Sequence, residues 1–287
     1  MAPTTSALRD MVALTKPRIT ALVLCTTTGG MALAHGHIPW VRAVVALVAT
    51  TLAVGAANAL NCYIERDLDR HMDRTRNRPL PAGRMAPRTA LAVGLSLAFV
   101  SVPALWLGVN PMTGFLGALA LVSYVLVYTP LKTRTPVALL VGAVPGALPP
   151  LMGWTAVTGR IQVPGLILFA ILFLWQLPHF LAISIFRLDD YARAGMKVMP
   201  LVRTVRRVRW HIALYVLALV PISLLLVPLH VAGIGYLVVA SILGATFLAW
   251  SLVGFRPSSG TVWARKLFVV SLVYLTGIFL ALMLDAV

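Results

Sequence analysis

Residues 58–84 read NALNCYIERDLDRHMDRTRNRPLPAGR and hold Glu65, Asp67, Asp69 and Asp73, four of the chain's eight acidic residues. Asn61, Glu65, Asp69 and Asp73 recur every four residues, so on a helix they form one slowly drifting stripe, which Asn58 joins a turn earlier. Arg66, Arg70, Arg74 and Arg78 also step by four and set a basic stripe beside it for as long as the helix lasts. Pro79, Pro81 and Gly83 then end any helix. Hard oxygen ligands beside guanidinium groups suit a phosphorylated anion carrying Mg²⁺. A charged, solvated loop that only fixes topology is the plainer alternative. The scarcity of acids elsewhere and the doubled four-residue spacing argue against it.

The elements that position this stretch are apolar. Hydrophobic residues make up 60% of the chain, charged residues 11%, and the mean hydropathy is +0.91. This composition predicts an all-α, polytopic membrane protein. Nine spans are expected, at about 19–38, 41–62, 88–109, 111–128, 137–157, 163–186, 210–229, 231–254 and 266–286. The apolar run after Arg9, Lys16 and Arg18 is of spanning length, so no cleavable signal sequence is expected. The N-terminus and the loops after spans two, four, six and eight carry 22 of the 24 Lys and Arg residues. That bias places the N-terminus in the cytoplasm and the C-terminus outside, in a bacterial inner membrane or, in a eukaryote, a mitochondrial one. It also explains the +16 net charge, so no nucleic-acid partner is expected. Cys25 and Cys62 lie in or near apolar segments, which supports neither a disulfide framework nor a zinc site.

A second acidic cluster, Arg187-Leu188-Asp189-Asp190-Tyr191, closes span six on the same face as the first. Polar groups inside the spans are few: Asn58 and Asn61, Tyr124 and Tyr128, and Trp175-Gln176-Leu177-Pro178-His179. Such groups face a bundle interior. Two charged helix ends above an apolar bundle make a cavity opening to the cytoplasm, matched by a diphosphate head on a long hydrocarbon tail. Neutralising the leaving oxygen promotes cleavage of an allylic carbon–oxygen bond. The cation so formed needs shielding from water and a negative π-face. Tyr124, Tyr128, Trp175 and Phe180 are candidates for that face, each set against ordinary packing.

Asn61, Glu65 and Asp69 in NxxxExxxD, followed by DRTRNRPLPAG at 73–83, resemble the first signature of the UbiA-type intramembrane prenyltransferases, and YTPLK at 128–132 resembles their YxxxK element. The resemblance runs over nearly the whole chain, a single domain spanning 1–287 with signature loops at 58–84 and 186–209. LTKPRIT at 14–20, NALNCYIERDLDRHMDRT at 58–75, WQLPHF at 175–180 and FRLDDYARAGMKVMP at 186–200 are similar to the haem-farnesylating branch of that superfamily. The resemblance implies transfer of a farnesyl group from farnesyl diphosphate to the 2-vinyl group of haem B, with addition of water, giving haem O and diphosphate. It implies Mg²⁺ as cofactor, and haem A synthase or a terminal oxidase assembly as partners. Both motifs depart from the superfamily pattern. In the first, Cys62 sits where many members have Asp and Glu65 replaces the usual Asp; in the second, Phe186 sits four before Asp190 where a second acid is usual.

On this resemblance Asn61, Glu65, Asp69 and Asp190 are expected to bind Mg²⁺–diphosphate, with helix-end solvation or capping as rivals. Asp67 and Asp73 are expected to pair with neighbouring arginines. Arg74 and Arg78 are read as binding diphosphate or haem propionates, and Lys132 and Lys197 as further phosphate contacts, with plain inside-face charge as the rival for all four; Tyr128 is a candidate substrate contact. Trp175 and Gln176 are candidate substrate contacts, and Asn58 either orients a ligand or ties two helices together. His179 is a candidate axial ligand of haem iron or proton carrier, against a satisfied helix–helix contact. Two other classes fit less well: an aromatic prenyltransferase for quinone precursors, which shares the diphosphate site, and an organic-anion transporter, whose charges belong near the membrane midplane.

Overall fold

The computed structural model describes residues 5–256 and 259–286. Thirteen α-helices and one π-helical turn follow in order: α1 (Thr5–Leu14), α2 (Pro17–Leu33), α3 (Trp40–Asp69), α4 (Pro87–Gly108), α5 (Pro111–Val122), the π turn (Ser123–Tyr128), α6 (Thr129–Leu131), α7 (Ala138–Thr158), α8 (Val163–Phe186), α9 (Leu188–Arg193), α10 (Met199–Val202), α11 (Val205–Leu224), α12 (Ile234–Val253) and α13 (Thr261–Leu284). Among the described residues there is no strand, only an isolated bridge between Ala232 and Ala286. The all-α reading therefore holds.

Eight described helices are long and apolar enough to cross a membrane, with α5, the π turn and α6 counted as one. The segment expected as the first of nine spans is α2, a helix of 17 residues. The helices start where the chain supplies a reason. Pro17, Pro87 and Pro111 stand in first turns, where a missing N–H costs nothing. Asn110 caps α5 by accepting from Thr113 N at 2.9 Å. Outward faces carry large apolar side chains, such as Phe99 and Leu107, 82% and 83% exposed. Such faces suit lipid rather than water.

The bundle is closed by two contact types. The apolar core runs through α7, α8, α11, α12 and α13, and a second cluster joins α3, α4, α5 and α7. Between α2 and α7 the main chains touch. A Cβ on Gly30 would lie 2.0 Å from Pro150 O, and one on Gly153 would lie 2.0 Å from Thr27 O. Small residues allow this approach in an apolar medium, where close packing replaces the hydrophobic drive.

α3 runs past the expected end at 62 and stops at Asp69, so the charged stretch divides. Glu65 and Asp69 stay on the helix. Asp73, Arg74 and Arg78 fall in a folded loop, held where Thr75 Oγ1 donates to Asp69 O at 2.8 Å. Of the basic stripe, only Arg66 keeps its place on α3. The two charged loops meet: Arg193, beyond α8, binds Asp73, beyond α3, at 2.7 Å, and Met72 packs with Ala194 and Met196.

Gly153→Val should force α2 and α7 apart. The expected cost is that of overpacking, about 1–3 kcal/mol, read as a lower melting temperature of the purified protein in detergent, while Gly260→Ala, with nothing near its Cβ, changes little.

Candidate active site

A cavity of about 410 Å³ lies between α2, α3, α5, the π turn, α7 and α8 and is roofed by residues 191–199. Its walls are mainly apolar, and its polar groups gather at the charged end. Asn58, Asn61, Glu65 and Asp69 all line it. The four-residue spacing on α3 turns them to one side, and each is at least nine-tenths buried.

Each of these groups has a partner on another element. Asn58 Nδ2 donates to Thr15 O at 3.2 Å. Asn61 accepts from Lys16 Nζ at 3.2 Å and donates to Thr129 Oγ1 at 3.2 Å. Thr129 Oγ1 in turn donates to Tyr124 O at 2.8 Å, in the π turn. Lys132 Nζ stands 2.8 Å from Glu65 Oε1 and 4.5 Å from the centre of the Tyr128 ring. Arg78 Nη1 donates to Asp69 Oδ2 at 2.7 Å. Two of these carboxylate oxygens have room for more. Glu65 Oε1 has only the Lys132 ammonium beside it, and Asp69 Oδ1 has no donor at all among the described residues. Buried oxygens of this kind have capacity for a further cationic partner.

The lysines differ. Burial lowers the Lys16 ammonium to about 8. Burial also works against the charge on Lys132, but Tyr128, Glu65 and Tyr124 together hold it above the ordinary lysine value. Lys16 has left-handed backbone, φ 49°, immediately before Pro17. Its side chain reaches into the cavity and meets Asn61 there.

Of the residues expected from sequence, Asn58, Asn61, Glu65, Asp69, Arg74, Arg78, Tyr128, Lys132, Gln176 and Lys197 line the cavity. Phe180 and Tyr124 do too. Trp175 and His179 do not. Gln176 and Phe180 occupy the cavity face of α8, and Trp175 and His179, one residue earlier in each case, turn toward α13. Trp175 Nε1 donates to Ser271 O at 2.6 Å. His179 Nδ1 is 2.7 Å from Ser271 Oγ, and its ring is stacked between Trp175 and Phe268, each 4.6 Å away. His179 therefore lies in the α8–α13 seam, with Nδ1 held by Ser271 and the ring off the cavity wall.

Asp190 is also placed differently from expectation. It is buried on the short helix α9, bound by Arg193 and 3.6 Å from Arg187. It is not among the residues lining the cavity, although its neighbour Tyr191 is. Among the described residues no three His, Cys, Asp or Glu side chains gather as a metal-holding group. The oxygen set at the cavity is thus one-sided, carried by α3, as the missing acid at Phe186 foreshadows. Asp67 and Asp73 pair with arginines as expected: Asp67 with Arg66 and Arg70, Asp73 with Arg76 and Arg193.

Lys16, Thr129 and Tyr191 escaped the sequence reasoning. The only trace of Lys16 is a lysine set before the proline that opens a span. A second, more polar pocket of about 850 Å³ adjoins the first, is lined by Arg9, Asp10, Asn77 and Arg84 and shares Arg74 and Arg78 with it.

Residues 22–273 match the UbiA prenyltransferase family. A protoheme IX farnesyltransferase of Myxococcus xanthus is 58% identical over 278 residues, 97% of this chain and 95% of that protein. Among solved structures, one reported as digeranylgeranylglyceryl phosphate synthase superposes with a TM-score of 0.84 at 16% identity, covering 97% of this chain and 98% of the other. A UbiA homologue from Archaeoglobus fulgidus, bound to GPP and Mg²⁺, superposes with a TM-score of 0.65 at 14% identity, covering 95% and 99%. These likenesses establish the fold.

Lys132→Met should leave the Glu65 carboxylate buried without its counter-ion. A loss of about 3–5 kcal/mol is expected, measured by thermal melting. The double variant Lys132→Met/Glu65→Gln should recover most of it.

Proposed function

The chain belongs to the UbiA prenyltransferase family, and from that premise we propose that it transfers the farnesyl group of farnesyl diphosphate to the 2-vinyl group of haem B, with addition of water, to give haem O and diphosphate. One observation carries the prenyl-transfer chemistry: the buried carboxylates of Glu65 and Asp69, with Asp69 Oδ1 left without a donor, at the polar end of an otherwise apolar cavity. The acceptor is read from the name borne by the Myxococcus relative.

Asn61, Glu65 and Asp69 fit Mg²⁺, since they offer an amide oxygen and two carboxylates on successive turns of one helix face. Bound there with the substrate, Mg²⁺ would neutralise charge on the leaving diphosphate. The protein's own cations bind the remaining phosphate oxygens: Lys16 and Lys132 from below, Arg74 and Arg78 from the loop, Lys197 from the roof. Lys132 and Arg78 now neutralise Glu65 and Asp69, so substrate exchanges one set of ion pairs for another without leaving a bare charge. The apolar walls take the farnesyl tail and exclude water, and Tyr124 and Tyr128, 5.4 Å apart, present ring faces to the allylic cation. Arg74 and Arg78 stand where the two pockets join. Together with Arg9 and Arg84 they suit the carboxylate groups of haem B beside the diphosphate. Asp190 joins this set only if Arg193 releases it.

The charged face is assigned to the cytoplasmic side of a bacterial inner membrane, with haem A synthase or an oxidase assembly receiving the product.

The test is to incubate the purified protein with haem B, farnesyl diphosphate and Mg²⁺ and identify the product by mass, omitting each in turn. Loss of product on each omission is expected. Glu65→Gln and Asp69→Asn should insert normally and lose about 100-fold or more in rate, the scale of one electrostatic group acting on developing charge. Near-normal haem farnesylation by Asp69→Asn would overturn the assignment.

A further inference from the structure

We propose that the side-chain amide of Gln176 holds the water that completes the reaction. This rests on the haem-farnesylating function proposed above.

Gln176 lines the cavity from α8 and is 7% exposed. Its Nε2 donates to Leu172 O at 3.0 Å and to Ala143 O at 3.3 Å. Two main-chain carbonyls around one atom identify that atom as the NH₂ group, because the reversed amide would set oxygen against two oxygens. Both amide hydrogens are therefore spent on the protein. Oε1 is left as an acceptor with no donor among the described residues, and it lies over Gly146, where a Cβ would meet it at 2.1 Å. Gly146 is thus the seat of the amide oxygen.

The wall beside it has the same polarity. Pro149 and Pro150 have no N–H to give the carbonyls of Pro145 and Gly146 one turn earlier in α7, and Pro145, Gly146 and Pro149 line the cavity. In an apolar surround this patch offers acceptors and no donors. A water bound there donates its hydrogens to the wall and keeps a lone pair directed into the cavity, as a nucleophile for a carbocation requires. The depth also fits. Gly146 is eight residues into α7, Asn61 eight from the end of α3 and Gln176 ten from the end of α8. At 1.5 Å per residue all three lie roughly 12–15 Å below the charged face. A prenyl diphosphate held by its head at Asn61, Glu65 and Asp69 puts its first carbons at this level.

The vinyl terminus attacks C1 of the farnesyl group. A carbon–carbon bond forms, the carbon–oxygen bond to diphosphate breaks, and diphosphate leaves with the electron pair. The remaining cation is on the carbon next to the porphyrin ring. The held water forms a carbon–oxygen bond to it and gives up a proton to the departing diphosphate. Gln176 keeps its own protons throughout. With no water in place, the same cation loses a proton and yields an alkene, lighter by one water.

Gln176→Met and Gly146→Ala, each in the full-length purified protein with haem B, farnesyl diphosphate and Mg²⁺, test this by product mass. The expected result is a shift from the hydroxylated adduct to the alkene by about ten-fold or more, with KM for farnesyl diphosphate within about two-fold of wild type. A brace that only packs α7 against α8 leaves the product ratio alone. Unchanged partition in both variants overturns the proposal, as does failure of both to insert, which would assign the amide to packing. A wild-type chain that yields no haem adduct removes the parent function as well. A productive wild type beside unchanged variants removes this inference only.

Discussion

A carboxylate buried among apolar helices is tolerable only beside a cation. Glu65 and Asp69 are 7% and 0% exposed, and the rest of the polar architecture answers to them. Lys132 must come back from the end of α6 and Arg78 from the loop after α3. That fixes how both segments fold over the bundle. Lys132 O also accepts from Lys197 N at 3.0 Å, which ties in the roof. These pairs put both signs of charge at one place, the polar end of the cavity.

Helical geometry distributes the remaining work. α8 has two faces with separate duties. Gln176 and Phe180 serve the cavity, while Trp175 and His179 bind the helix to α13 through Ser271. The π turn at Ser123–Tyr128 adjoins the site, and Tyr124 O within it anchors Thr129, which holds Asn61. Pro145, Pro149 and Pro150 are tolerated in α7 because neighbouring helices pack around them.

Much of this was legible in the chain. Long apolar runs give the helices, and a four-residue recurrence gives one face, so Asn61, Glu65 and Asp69 could be placed together before any coordinates. Periodicity does not say toward what a face is turned. WQLPHF therefore showed that polar groups sit within a span but not that residues 176 and 180 look inward while 175 and 179 look at α13. Lys16 and Thr129 were hidden for a related reason: they lie 45 and 68 residues from Asn61, and contacts across such separations leave no local pattern. Asp190 looked like a ligand by type and motif. Its ion pairs with Arg187 and Arg193 follow from a three-residue spacing on and beside α9 that the motif does not express.

Arg193 spans Asp73 and Asp190 at the rim, where it is 50% exposed and Asp73 61%. Dissolved ions reach that clasp and weaken it at moderate ionic strength, but they do not reach Glu65 and Lys132, whose side chains are 8% and 14% exposed. The mouth therefore loosens from the outside inward: salt unfastens the two loops from each other while the floor keeps its ion pairs.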